Sequence, residues 1–248
     1  MSDQGDQKNE GSPSVDANST KQSLSFEAQH LVTVMVEGKV FKAQKAVLVK
    51  DSLYFDRALN GPFREGQTQT IDLEDDVDAN DFVFYVEVAY RSYFNEDFKL
   101  RKEHLGACFQ ERLRTVLNLW VLTDRFLNGR LRAIATEGLE WLLRVFDVRN
   151  WEFHYKSAST PHQDLLYWIT LLQSGFKECL EFDTPLKDKF AEAAAAMPPQ
   201  LFSELHDTLD PEFRSAVTKK FIKRFEDPKL RRPLVEDESL PAKRKKTN

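Results

Sequence analysis

The side chains that most often do catalytic or metal chemistry are scattered along this sequence. The histidines never occur with the His-Glu-x-x-His spacing of a zinc protease, and the two cysteines lie far apart. These residues are His30, His104, His154, His162, His206, Cys108 and Cys179. The sequence also lacks a glycine-rich phosphate loop and a Gly-x-Ser-x-Gly nucleophile turn. We therefore predict no catalytic residues, no metal site and no cofactor, and hence a protein that is not an enzyme.

An acidic run from Glu74 to Asp78 invites comparison with a cation-binding loop. It lacks the alternating ligands, the turn glycine and the closing glutamate of a calcium loop. Acidic side chains ahead of a helix instead complement the positive end of the helix dipole. Apolar residues at helical spacing from Phe82 to Ala89 predict such a helix directly after the run.

The composition is that of a folded protein, since 41% of the 248 residues are hydrophobic and 19 are phenylalanine. A net charge of -5 argues against a surface devoted to nucleic acid. The first twenty residues lack the apolar core of a secretory signal, and no stretch reaches the length of a membrane span. Two widely spaced cysteines fit a reducing compartment. We expect a cytoplasmic or nuclear protein whose partners are proteins, with neither membrane nor nucleic acid among them.

The residues from Leu31 to Leu73 show the clearest order of secondary structure. Val32, Val34 and Val36 alternate with other residues, which predicts a strand with one buried face. The elements predicted after it are a turn at Glu37-Gly38, a strand around Val40-Phe41, a helix from about Ala43 to Val49, a helix capped by Ser52 and ended by Gly61-Pro62, and a strand from Thr70 to Leu73.

This order of elements, together with its residues, resembles the BTB/POZ domain family. The resemblance rests on the run from Val34 to Leu48, on Ser52-Leu53-Tyr54-Phe55, on Gly61-Pro62-Phe63-Arg64-Glu65, on Ile71-Asp72-Leu73 and on Phe82 through Tyr90. It implies an α+β fold, with a small sheet flanked by helices. The family is chiefly a protein-interaction module, so the resemblance implies a protein partner without naming it.

Three positions depart from the pattern of the family. Leu31 stands where an aspartate usually precedes the first strand, Gln44 where a histidine is usual, and Asp51 where transcription-factor members carry a basic residue. In those transcription-factor members, a buried aspartate and the basic residue line a charged pocket that helps recruit corepressors. Because Leu31 and Asp51 occupy these positions here, recruitment of that kind is not expected. The segment Leu24 to Gln29 also leaves little room for the first helix of swapped animal dimers, although a homo-oligomer through another interface stays open.

The candidate interaction site is Phe63-Arg64-Glu65. In family members that bind the cullin scaffold of ubiquitin ligases, the corresponding loop carries a hydrophobic residue, any residue and then an acid. An apolar side chain at Phe63 can fill a pocket while the carboxylate of Glu65 accepts a hydrogen bond at its rim. In the alternative, Phe63 packs inward and Glu65 is merely solvated.

The second half of the sequence predicts helices alone. A helix around Leu113 to Leu127 is predicted to end at Asn128-Gly129, and a further apolar face follows from Leu131. Between the two halves, Arg91 to Gln110 is less regular, with a short strand near Tyr93 or a loop insertion as the alternatives. Later helices are predicted to start at Thr160-Pro161 and Pro211, and one to stop at Pro198-Pro199. From Trp151 onward the sequence resembles the helical extension of short fungal BTB/POZ proteins, in which a Thr-Pro start, here Thr184-Pro185, leads into paired helices.

The predicted organisation has four parts. They are a disordered tail over residues 1–26, a BTB/POZ domain over 27–145, an all-helical extension over 146–227 and a disordered charged tail over 228–248. The last tail carries a candidate nuclear-import cluster, Lys243, Arg244, Lys245 and Lys246, for which a solvated charged end is the alternative. The sequence thus predicts a non-enzymatic adaptor for a cullin-based ubiquitin ligase, or else a nuclear scaffold or transcription-associated protein that acts through self-association.

Overall fold

The computed structural model describes residues 30–73, 77–106, 108–144, 146, 151, 155 and 162–226. Its strands are β1 (Leu31–Val36), β2 (Lys39–Gln44) and β3 (Thr70–Asp72). Its helices are α1 (Lys45–Val49), α2 (Leu53–Asn60), α3 (Arg64–Thr68), α4 (Ala79–Phe94), α5 (Phe109–Arg125), α6 (Gly129–Arg144), α7 (His162–Glu181), α8 (Leu186–Ala195), α9 (Pro199–Leu205) and α10 (Pro211–Glu226). A small sheet flanked by helices and followed by further helices confirms the predicted fold class. The two predicted tails lie outside the described residues.

The sheet has the strand order β2-β1-β3, with β2 antiparallel and β3 parallel to β1. Glu37 and Gly38 both have positive φ, at 48° and 71°, which is the geometry of a two-residue hairpin turn between twisted strands. Val32, Val34 and Val36 are fully buried, so the predicted alternation is confirmed.

The helix predicted from about Ala43 begins two residues later than expected. Ala43 pairs with Val32 in the sheet and is buried there. The backbone N–H of Gln44 donates to the Tyr90 hydroxyl at 2.8 Å, which holds the end of β2 extended. Strand pairing and burial therefore override the helical pattern, and α1 starts at Lys45.

Helix α4 continues through Tyr93 to Phe94, so the short strand considered near Tyr93 is wrong. Asp78 caps the helix by accepting hydrogen bonds from the backbone N–H groups of Asn80 and Asp81, at 2.8 and 3.1 Å. After Phe94 the described residues form a loop with one short 3-10 helix, Lys102–His104. The loop alternative is therefore the one observed.

The junction between α5 and α6 differs from the predicted stop at Asn128-Gly129. Helix α5 ends at Arg125, and Leu127 reverses the chain with a φ of 50°. Asn128 then caps α6, because its side-chain oxygen accepts from the backbone N–H of Leu131 at 3.0 Å. The pair that looked like a helix end is thus the start of the next helix.

The core of the first part is a cluster of aromatic rings around Phe126. Ring centroids lie 4.9 Å away for Phe55, 5.0 Å for Tyr85, 5.4 Å for Tyr54 and 6.4 Å for Phe82. The cluster joins α2, α4 and the end of α5 into one packed unit, which fixes α2 against the rest of the fold.

The helical extension packs directly on this first part, with α5 against α7 and α6 against α8. The Trp120 ring meets the Phe182 ring edge to face at 5.4 Å, and the Arg132 guanidinium lies over both rings. Arg132 also pairs with Asp124. One continuous set of buried side chains therefore runs through both parts.

Replacing Ser52 by alanine tests how α2 is anchored. The Ser52 hydroxyl accepts from the Phe55 N–H at 3.2 Å and donates to the Phe126 carbonyl oxygen, and the residue is buried. We expect Ser52→Ala to lower the free energy of unfolding by about 1 kcal/mol through loss of the cap, measured by urea denaturation. Ser52→Thr keeps the hydroxyl as the control. Equal losses in both variants would contradict a role for the hydroxyl.

Candidate protein-interaction surface

The connection between α2 and α3 has a backbone that only glycine fits at position 61. The Gly61 N–H donates to the Arg57 carbonyl oxygen at 2.9 Å and closes α2. A Cβ added to Gly61 would lie 2.2 Å from that same oxygen and 2.9 Å from Cδ2 of Phe63. Pro62 is exposed, and Phe63 immediately precedes α3. The Phe63 ring therefore lies close over the glycine backbone.

The far end of α3 is fastened to the sheet. Gln69 adopts the left-handed conformation, with a φ of 51°, and its side-chain amide donates to the Leu59 carbonyl oxygen at 3.2 Å. The Lys45 ammonium donates to the same oxygen at 2.9 Å. The Thr33 N–H donates to the Gln69 carbonyl oxygen at 2.9 Å. The short helix is thus held at both ends, and the side chains of its first turn have a defined position.

Phe63 is 58% exposed, which contradicts the alternative that it packs inward. Glu65 follows in the first turn of α3 and is half-buried. The structure therefore presents an apolar ring and a carboxylate two residues apart on one exposed turn. Their spacing allows the ring to enter a partner's pocket while the carboxylate meets a donor at its edge.

Tyr54 links this turn to a second apolar area. Burial raises the pKa of the Tyr54 phenol, the nearby Arg125 lowers it, and the Glu65 carboxylate raises it further. Beside Tyr54, Leu53 is 54% exposed, and its N–H donates to the carbonyl oxygen of Leu127 at 3.3 Å.

We define the α2 surface as Leu53, Tyr54, Phe63, Glu65 and Leu127. Leu127 is 50% exposed. The surface extends along the whole of α2, a helix of about 12 Å at 1.5 Å per residue, from its first residue to the turn that follows it. Three of its members, Leu53, Phe63 and Leu127, are large apolar residues that are at least half exposed.

Sequence reasoning identified Phe63 and Glu65 but missed Leu53 and Leu127. A signal for Leu53 was available, because it directly follows the helix cap Ser52, whereas Phe55 and Leu59 supply the buried face of α2. Leu127 offered no such signal, because its exposure follows from its left-handed backbone at the α5–α6 junction.

Leu31 and Asp51 stand at the two positions that line the charged pocket in transcription-factor members of the family. Leu31 is exposed at the start of β1. Asp51 lies 3.9 Å from the guanidinium of Arg130, which also donates to the Ser92 carbonyl oxygen at 2.8 Å. This arrangement ties the end of α4 to the start of α6. The import candidates Lys243, Arg244, Lys245 and Lys246 lie outside the described residues and stay a prediction.

Among the described residues, no group of three or more His, Cys, Asp or Glu side chains is arranged to hold a metal ion. None of the described helices combines the length and the apolar content that a membrane crossing requires.

Residues 21–113 match the family model of the BTB/POZ domain. The match contains all three strands, the helices α1 to α4 and both Phe63 and Glu65. Residues 21–113 are therefore a BTB/POZ domain, a protein–protein interaction module. No curated protein is similar enough to the chain to count as a match.

Proposed function

We propose that this protein is a non-enzymatic adaptor whose BTB/POZ domain binds the cullin scaffold of a ubiquitin ligase through the α2 surface. The helical extension then receives the client. The observation that carries the proposal is the exposed Phe63 ring, with Glu65 beside it on a turn held at both ends.

The chemistry of the surface suits a small and specific interface. A buried aromatic anchor in a partner's pocket is the kind of residue that dominates binding energy, while polar groups at the rim fix its register. Leu53 and Leu127 extend the apolar area beside this anchor. Because Gly61 and Gln69 already fix the turn, binding costs little additional conformational entropy.

The packing between the two parts supports the second half of the proposal. The contacts of Trp120 and Arg132 with Phe182 hold the extension in a fixed orientation on the domain. An adaptor needs such an orientation, because a client bound to one part must face the machinery recruited by the other.

The direct test is calorimetric titration of the full chain with the N-terminal domain of a cullin scaffold. We expect a Kd in the micromolar range or tighter, about 8 kcal/mol of binding free energy. Phe63→Ala and Glu65→Ala should each weaken binding, the first by at least about tenfold because it removes the anchor. Phe94→Ala is the matched control, because that ring is 69% exposed at the far end of α4.

Absence of binding by the folded wild-type chain would overturn the adaptor proposal. So would equal affinities for wild type and Phe63→Ala. Either result would favour the second candidate from the sequence, a nuclear scaffold that acts through self-association.

A further inference from the structure

A groove lies between the start of α4, the middle of α5 and the outer face of α7. Its volume is about 460 Å³. The floor is apolar, formed in part by the buried side chains of Leu117, Leu122 and Leu171. Tyr167 stands at its edge and is 43% exposed. The groove shares no lining residue with the α2 surface, so it can hold a separate ligand.

The rim of the groove is acidic. Its described lining residues include three carboxylates, those of Asp78, Asp81 and Glu178, against the single cation of Arg114. Asp81 accepts a hydrogen bond from the side-chain amide of Asn118 at 2.8 Å, which fixes its carboxylate on this side of α4. Glu178 forms no ion pair with another described residue and is half-buried.

Without a bound partner, the groove disfavours the charged form of the Asp81 and Glu178 carboxylates. Burial raises the pKa of Asp81, and the Asp78 carboxylate raises it further, although the Asn118 hydrogen bond lowers it. Burial also raises the pKa of Glu178, with Glu181 adding to the rise. A bound cation would stabilise both carboxylates in their charged form. The groove therefore favours a positively charged occupant that also carries an apolar side chain.

We propose that this groove binds the basic C-terminal segment of the same chain, Leu240 to Lys246. Leu240 and Pro241 supply apolar groups for the floor, and the four consecutive cations from Lys243 to Lys246 face the acidic rim. No acid lies between Leu240 and the last residue, so the complementarity in charge is complete over this segment. When the segment occupies the groove, the candidate import cluster is covered.

The connection is long enough for this contact within one molecule. Helix α10 ends at Glu226, and the residues from there to Leu240 can span about 46 Å at 3.3 Å each. A globule of about 200 residues has a radius of gyration near 16 Å, so the connection is about as long as the globule is wide. Such a tether gives an effective concentration on the order of 1 mM, so a site with a Kd of about 0.1 mM is occupied roughly nine-tenths of the time.

The test is the rate at which trypsin cuts the full chain after Lys243 to Lys246, followed by mass spectrometry at low salt. We expect cleavage to be about tenfold faster in Glu178→Lys, because the reversed charge repels the segment and removes its protection. Glu87→Lys is the matched control, since it makes the same change of charge on the exposed face of α4, where Glu87 pairs with Arg91. This control should be cut at the wild-type rate, and far-UV circular dichroism verifies that each variant is folded.

A second measurement uses the wild-type chain alone. Raising the salt to about 0.5 M should accelerate cleavage towards the rate of Glu178→Lys, because exposed charges are then screened. Equal rates in wild type, in Glu178→Lys and at high salt would overturn the proposal. Protection that grows with protein concentration would overturn it as well, because the segment would then occupy the groove of a second copy.

Discussion

Replacing Phe126 by alanine is expected to lower the free energy of unfolding by about 4 kcal/mol. The Phe126 ring is fully buried and touches the rings of Tyr54, Phe55, Phe82 and Tyr85. Its removal loses the free energy gained by transferring the ring out of water. It also leaves a cavity, which could close only if α2, α4 and the end of α5 moved together. Urea denaturation of the full chain, followed by circular dichroism, measures the change.

The control for this substitution is Phe94→Ala, which truncates an equally large ring that is 69% exposed. Its effect should stay within about 0.5 kcal/mol, as for most surface substitutions. A loss below about 1 kcal/mol for Phe126→Ala would contradict the central place given to this ring, because fully buried aromatic residues cost about 3 to 5 kcal/mol when truncated.

Gly175→Ala is expected to destabilise the protein by about 2 kcal/mol, although alanine is the better helix former. In isolation, the exchange inside α7 would stabilise the helix by about 1 kcal/mol. A Cβ at this position, however, would lie 2.2 Å from Cε1 and 2.5 Å from Cζ of Phe190 on α8. The Phe190 ring is fully buried and has no room to retreat, so α7 and α8 must separate. The cost of this overpacking exceeds the gain in propensity.

Gly138→Ala is the matched control on α6. There the added Cβ would meet the side-chain ends of Leu100 and Val116 at 3.1 and 3.2 Å, and such ends can shift by a few tenths of an ångström. We expect a change within about 1 kcal/mol of zero. Thermal melting of both variants compares them directly. A stabilised Gly175→Ala would contradict the close approach of α7 and α8, and Phe190→Leu in the Gly175→Ala background should restore part of the loss.

The sequence predicted most of the strands and helices because their apolar spacing is strong and local. The alternation of Val32, Val34 and Val36 and the cap at Ser52 are signals that neighbouring residues alone decide. The end of β2 was different, because the burial of Ala43 and the hydrogen bond from Gln44 to Tyr90 depend on residues far along the chain. No local pattern records such contacts.

The candidate site was also predicted only in part. The motif at Phe63 and Glu65 could be read from the resemblance, but its exposure could not, since it depends on how Gly61 and Gln69 fold the turn. The acidic groove was invisible in the sequence, because Asp81 and Glu178 line the same groove only when α7 packs on α5 and α5 packs on α4. Sites assembled from distant helices are the part of a protein that spacing along the chain predicts least.

The contact between Trp120 and Phe182 also bears on how such a protein can evolve. Trp120 lies in α5 and is 1% exposed, and the ring of Phe182 from the extension packs against one side of it. A recombination event that joined this BTB/POZ domain to a different companion would remove that contact and uncover part of the indole. We therefore expect the two parts to be inherited together as one unit, rather than to be exchanged separately by domain recombination.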